Sequence, residues 1–97
     1  MKHCILVKYK DEVTAEDRER LYPEIGRLFD GLRAMDGIHD VELIRNVINR
    51  PNRFDLLIRI DMDPEALSAY DDSNVHHQWK DQYGKYLAKK AIFDYED

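Results

Sequence analysis

Alternation of apolar and polar residues is the clearest pattern at the start of the chain. On an extended backbone, His3, Ile5 and Val7 would face one side while Leu6 and Lys8 face the other, which predicts a β-strand. Three later apolar segments, separated by turn-forming residues, predict further strands. The four predicted strands are MKHCILVKYK (1–10), VELIRNVI (41–48), RFDLLIRID (53–61) and KAIFDY (90–95).

Helical periodicity is found in two of the three segments between these strands, while NRPN (49–52) forms a loop. Within residues 11–35, apolar residues recur at helical spacing and form one stripe. The stripe consists of Leu21, Ile25, Leu28, Phe29, Leu32 and Met35. Thr14 is a predicted N-cap, and Pro23 predicts either a kink or a main helix that starts close to it. MDPEALSAY (62–70) predicts a second helix, with Asp63 as its N-cap.

The order of these elements is β-α-β-β-α-β, with a further helix expected from about Val75 to Tyr86. This order predicts an α+β, ferredoxin-like fold: a four-stranded antiparallel sheet with the helices on one face. We expect the helices to cover the face that carries Phe54. The opposite face, with Leu6, Leu57 and Ile92, would then be bare, and a second copy of the chain is the simplest cover for it.

Composition narrows the range of partners. A length of 97 residues fits a single domain spanning 1–97, and a net charge of -5 disfavours binding to nucleic acid. The single Cys4 excludes an intramolecular disulfide and a multi-cysteine metal site. No apolar run approaches the roughly 18 residues of a membrane span, and no signal peptide is recognised. We therefore expect a cytoplasmic protein without nucleic-acid, membrane or metal partners.

Five segments, in this order and spacing, resemble the stress-responsive A/B barrel domain (Dabb) family of the dimeric α+β barrel superfamily. They are KHCILVKYKDEV (2–13), IRNV (44–47), FDLLIRIDMDPEALSAY (54–70), VHHQW (75–79) and IFDYED (92–97). None of them is specific alone, and together they cover nearly the whole chain. The resemblance implies a homodimer in which two ferredoxin-like sheets pack face to face into a shared barrel, with the helices outside.

The resemblance leaves the activity open. Members of the family include stress-induced proteins without clear catalysis and cofactor-free cyclases of polyketide-type substrates, and the wider superfamily includes monooxygenases. Fold alone does not choose among them. We expect a homodimer of undefined activity with a small-molecule pocket between sheet and helices and no cofactor. The alternatives are a cofactor-free, cyclase-like or lyase-like enzyme and a monooxygenase-like barrel acting on aromatic substrates.

Two adjacent histidines are the strongest candidates for chemistry. Family members carry a histidine six positions after the tyrosine that ends the second helix, and here Tyr70 is followed by His76. Helical geometry turns His76 toward the sheet with Trp79, while His77, about 100° further round, faces solvent. With His3 from the first strand, three polar groups would converge. His76 would act as a base, Tyr70 would orient it or donate to an enolate oxygen, and His3 would add a second contact.

The expected ligand contacts come from apolar and aromatic side chains: Ile25, Leu56, Trp79 and Tyr83. Such a pocket suits a small apolar or aromatic ligand. A structural explanation competes with the catalytic one. A histidine at a helix start often serves as a hydrogen-bonding or capping residue, and a tyrosine beside it often bonds to the backbone.

Overall fold

The computed structural model describes residues 1–97 and contains one four-stranded antiparallel sheet. The strands are β1 (Lys2–Tyr9), β2 (Ile38–Arg45), β3 (Leu56–Met62) and β4 (Leu87–Tyr95). Their order across the sheet is β2-β3-β1-β4, with every neighbouring pair antiparallel. The predicted ferredoxin-like fold is therefore confirmed.

The first helix, α1 (Ala15–Asp30), begins where the sequence predicts. The Thr14 side chain accepts a hydrogen bond from the Asp17 amide at 3.1 Å, and the Asp17 carboxylate accepts one from the Thr14 amide at 3.3 Å. The helix continues through Pro23, so the predicted start close to this residue is wrong. Pro23 is exposed, and water can therefore reach the carbonyl that loses its amide partner.

The second helical region is more irregular than the sequence predicts. It consists of a 3₁₀ turn (Pro64–Ala66), α2 (Leu67–Asp71), α3 (Asn74–Gln78), a π-helical turn (Trp79–Tyr83) and a 3₁₀ turn (Gly84–Tyr86). The expectation of one regular helix from Val75 to Tyr86 is wrong. The π-helical turn carries the buried side chains of this stretch, Trp79 and Tyr83, so tertiary packing prevails over local periodicity here. None of the helices combines the length and hydropathy that crossing a membrane requires.

Two of the strands start earlier than predicted. β2 begins at Ile38 because the turn before it is tight and centres on Gly37, whose φ is +85°. A Cβ atom at this position would lie 2.9 Å from the Cβ of Ala66, so both the backbone conformation and the space favour glycine. β4 begins at Leu87, where its pairing with Tyr9 extends the ladder beyond the predicted KAIFDY segment.

The hydrophobic core fills the space between the sheet and the helices. Its fully buried members come from β1, β3 and the helices, and they include Val7, Leu21, Phe29, Leu32, Ile58, Ile60 and Met62. Ile25 and Leu56 belong to the same core, with 1% and 2% of their surfaces exposed. The apolar stripe predicted for α1 is therefore the face that covers the sheet.

The opposite face of the sheet, called here the bare face, carries no helix. Leu6 and Leu57 pair with each other on this face, as predicted. Ile92 pairs with Ile5, whose side chain is buried under the helices, so the expected place of Ile92 on the bare face is wrong. The bare-face position of β4 belongs instead to Phe93, which is 62% exposed.

Phe54 also lies on the bare face. It precedes β3 and lines a groove with Leu6 and Leu57, so its predicted position under the helices is wrong. Three charged side chains of this face form ion pairs within the chain, namely Lys2 with Asp61 at 3.3 Å, Lys8 with Asp55 at 3.9 Å and Arg59 with Glu42, whereas Lys89 forms none. The bare face therefore presents an apolar surface bordered by ion pairs and by the unpaired Lys89.

Candidate functional site

A cleft of about 490 Å³ opens between the edge of the sheet formed by β1 and β4 and the helical segment around α2 and α3. His3, Tyr70, His76 and Trp79 line it together, so the structure brings the three predicted catalytic residues to one place. This volume lies within the range of small-molecule sites. The cleft also contains Asp94, which sequence reasoning did not single out.

Tyr70 lines the buried side of the cleft. Its ring lies between those of His3 and His76, with centroid distances of 5.4 and 4.9 Å, and its side chain is 1% exposed. The Tyr70 hydroxyl is buried and has no hydrogen-bond partner. Burial, and secondarily the charge of Asp71, raises the pKa of Tyr70 well above its ordinary value. The hydroxyl therefore stays protonated at neutral pH and keeps an unused donor.

The start of α3 fixes the position and tautomer of His76. Ser73 caps this helix and accepts a hydrogen bond from the His76 amide at 3.1 Å. The His76 Nδ1 lies 2.9 Å from the Asp71 carbonyl oxygen. Because a carbonyl only accepts, Nδ1 carries the proton and donates it to this bond. In the neutral ring, Nε2 therefore has a free lone pair and is the nitrogen that can take up a proton.

His3 is held in a comparable way by the strand opposite. β1 and β4 place His3 beside Asp94, and its Nδ1 lies 2.5 Å from Asp94 Oδ1. The carboxylate accepts this bond, which makes Nε2 the free nitrogen of the neutral His3 ring. His3 is 6% exposed and Asp94 is exposed, so the pair joins the buried part of the cleft to its surface. No three His, Cys, Asp or Glu side chains are grouped to hold a metal ion anywhere in the chain.

Only one of the four expected ligand-contacting residues lines this cleft. Trp79 does so while packing edge-to-face on Phe29, with centroids 5.3 Å apart. Ile25 lies in the hydrophobic core, and Leu56 lines a different cleft. Tyr83 directs its hydroxyl to Glu24 at 3.3 Å and does not reach the cleft.

A smaller cleft of about 170 Å³ lies at the other end of β1, where α1 meets the loop after β2. Its two guanidinium groups are neutralised within the chain. Arg18 pairs with Asp55 at 3.3 Å, and Arg45 pairs with Glu19 at 3.0 Å. Because its charges are already satisfied, this cleft is a weaker candidate than the cleft at Tyr70.

The sheet order and the one-sided helices define a ferredoxin-like α+β protein with a polar cleft at the sheet edge. The sequence matches the family model of the Stress Responsive A/B Barrel Domain, Dabb, over residues 1–97, and the chain belongs to this family. Comparison with functionally curated proteins finds no match.

Solved structures support the same fold. A dimeric protein of unknown function from Bacteroides fragilis, with a ferredoxin-like fold, superimposes with a TM-score of 0.82 at 18% identity, over 99% of this chain and 94% of that one. A dimeric ferredoxin-like protein of unknown function from Thermobifida fusca superimposes with a TM-score of 0.81 at 18% identity, over 99% of this chain and 89% of that one. A Dabb family protein from Mesorhizobium loti superimposes with a TM-score of 0.74 at 17% identity, over 99% of this chain and 94% of that one. At these identities the similarity shows the fold alone.

Proposed function

We propose that the protein is a homodimer that binds a small organic molecule in the cleft at Tyr70. The Tyr70 hydroxyl is the observation that carries this proposal, since it is buried, protonated and without a partner. A buried donor left unsatisfied costs about 1–3 kcal/mol, and a ligand oxygen that accepts its proton would remove this cost. The free Nε2 atoms of His3 and His76 supply further polar contacts in the same cleft.

The bare face supports the homodimer. Phe93 is 62% exposed, Ile44 is 38% exposed and Val47, just beyond β2, is 93% exposed. Apolar surface gathered in this way on one face marks an interaction site. The similar proteins from Bacteroides fragilis and Thermobifida fusca are described as dimeric. Packing of two such faces would enclose them in a shared barrel and leave each cleft, on the helical side, open.

Proton-transfer catalysis is the second candidate function, and the tautomer of His76 favours it. His76 Nε2 would take a proton from a carbon next to a carbonyl group. The electron pair of that C–H bond would move to the carbonyl oxygen, which Tyr70 would stabilise by donating its hydrogen bond. Return of the proton from His76 to the enolate would complete an exchange that needs no cofactor. A structural role for His76 alone would leave the unused Tyr70 donor without explanation.

Deuterium exchange tests this chemistry without knowledge of the natural substrate. We expect the protein to accelerate exchange of the ketone-adjacent protons of 4-phenyl-2-butanone in D₂O, followed by NMR. His76→Ala should lower the rate by about 10²–10⁴-fold, the usual contribution of a general base. His77→Ala is the matched control because His77 is exposed and directs its Nδ1 to the Ser73 carbonyl. An unchanged rate in His76→Ala would remove the proposed base.

Ligand binding is tested separately by thermal-shift measurements with polyketide-like acids and aromatic quinols. A ligand that raises the melting temperature of the wild type and fails to do so in Tyr70→Phe supports the cleft as the site. Absence of a shift with every compound would contradict the proposed binding function.

A further inference from the structure

We propose that Lys80 and Lys90 make the cleft selective for a monocarboxylic acid with an apolar or aromatic body. This inference rests on the proposed function, since it concerns the ligand of the same cleft. Both lysines line the cleft and both are exposed, which places their ammonium groups at its rim. Neither belongs to the set of polar residues at Tyr70 described above.

The register of β4 separates opposite charges along the cleft. Lys90, Ile92 and Asp94 are alternate residues of this strand, and their partners on β1 are Val7, Ile5 and His3, so all three face the helical side. Four residues of extended chain put about 13 Å between the backbone positions of Lys90 and Asp94. One end of the cleft is therefore cationic and the other carries the His3–Asp94 pair, with apolar Ile92 between them.

The two ammonium groups are free to bind a ligand. Among the lysines of the chain, only Lys2 and Lys8 form ion pairs with carboxylates. Lys80 lies four residues after His76, about one helical turn further along the same helical segment. A lysine side chain carries its charge on a flexible stem, so both groups can approach an anion bound at the rim.

The remaining charges favour one carboxylate over a phosphate group. Asp71 lines the cleft near His76, and the Asp94 carboxylate is engaged by His3. Because Asp71 and Asp94 both add negative charge to the cleft, its two lysines suit a single carboxylate better than a phosphate dianion. The apolar lining of the cleft, formed by Ile5, Leu67, Trp79 and Ile92, matches an apolar or aromatic body.

Fluorescence of Trp79, the only tryptophan of the chain, reports occupancy of this cleft directly. The probes are 4-butylbenzoate and its neutral analogue 4-butylbenzamide, which differ chiefly in charge. We expect the wild type to bind the acid about tenfold more tightly than the amide, as two exposed ion pairs of moderate strength allow. High salt should reduce this preference because it screens exposed charges.

Lys80→Gln/Lys90→Gln should lower affinity for the acid to that for the amide and leave amide binding unchanged, which also shows that the variant is folded. Lys89→Gln is the matched control, since Lys89 is adjacent on β4 but pairs with Lys8 on the bare face, and it should keep the preference. The inference would be overturned if the wild type bound the acid and the amide equally well, or if the double variant still preferred the acid. Either result would leave the proposed cleft intact. No response of Trp79 to either probe would overturn both.

Discussion

The unpartnered hydroxyl of Tyr70 gives the sharpest prediction. If this hydroxyl is kept for a ligand, its removal should not weaken the free protein. Tyr70→Phe deletes the oxygen and preserves the ring that packs between His3 and His76. We therefore expect the variant to be at least as stable as the wild type while its response to ligands is lost.

The magnitude follows from the burial of this group. A buried polar group without a partner costs about 1–3 kcal/mol, so its removal should raise the free energy of unfolding by about 1 kcal/mol or more. For a domain of this size, each kcal/mol corresponds to about 4–8 °C in melting temperature. The melting temperature of Tyr70→Phe should therefore rise by about 4 °C or more.

Thermal and urea unfolding followed by circular dichroism measure this change, at one fixed protein concentration because association affects the melting temperature. Tyr22→Phe is the matched control, since the Tyr22 hydroxyl donates to the Leu43 carbonyl at 3.0 Å. The free energy of unfolding of this control should fall by about 0.5–1.5 kcal/mol, the net contribution of one hydrogen bond. If Tyr70→Phe loses stability to the same extent, its hydroxyl has a structural partner and the main support for a ligand site disappears.

Three further predictions concern pH, assembly and the turn before β2. Burial raises the pKa of Tyr70 above its ordinary value of 10.0, so above pH 10 this tyrosine ionises more readily in the unfolded chain and the free energy of unfolding falls, whereas below pH 10 it has no such effect. Urea unfolding on either side of pH 10 should show this loss, and Tyr70→Phe should reduce it. If the proposed homodimer buries the bare face, Phe93→Asp should be monomeric in light scattering, whereas Ile92→Asp, on the other face of β4, should remain dimeric. A dimeric Phe93→Asp variant would contradict burial of the bare face. Gly37→Ala should lower the free energy of unfolding in urea by about 1–3 kcal/mol because alanine is strained at the positive φ of this position. Gly84→Ala, with open space around the residue, should change the free energy of unfolding little. Equal effects of the two substitutions would refute the steric argument.

Much of the fold follows from local sequence pattern. The alternation in β1 and the apolar stripe of α1 each indicate which side of one element is buried, so both patterns can be recognised in a single sequence. Strand register is different, because it depends on which residues meet across a ladder. The misplacement of Ile92 on the bare face, where Phe93 lies, is an error of this kind.

The same distinction separates the predicted from the missed parts of the cleft. His76 and Trp79 lie three residues apart in consecutive helical turns, and this spacing alone indicates a common face. Asp94 and Lys90 enter the cleft only through the pairing of β4 with β1, which no local pattern reveals. Ile25 is an expected ligand contact because it lies on the apolar stripe of α1, but its depth in the core depends on how closely α1 packs on the sheet.

The tautomer of His76 tests the central claim most directly, because the claim requires a cleft with a free Nε2 beside the unused Tyr70 donor. Histidine-selective ¹⁵N NMR on the neutral ring distinguishes the two tautomers. We predict a proton on Nδ1, shared with the Asp71 carbonyl, and a bare Nε2. A neutral ring protonated at Nε2 would contradict the account, since His76 could then neither accept a proton there nor receive a hydrogen bond from a ligand.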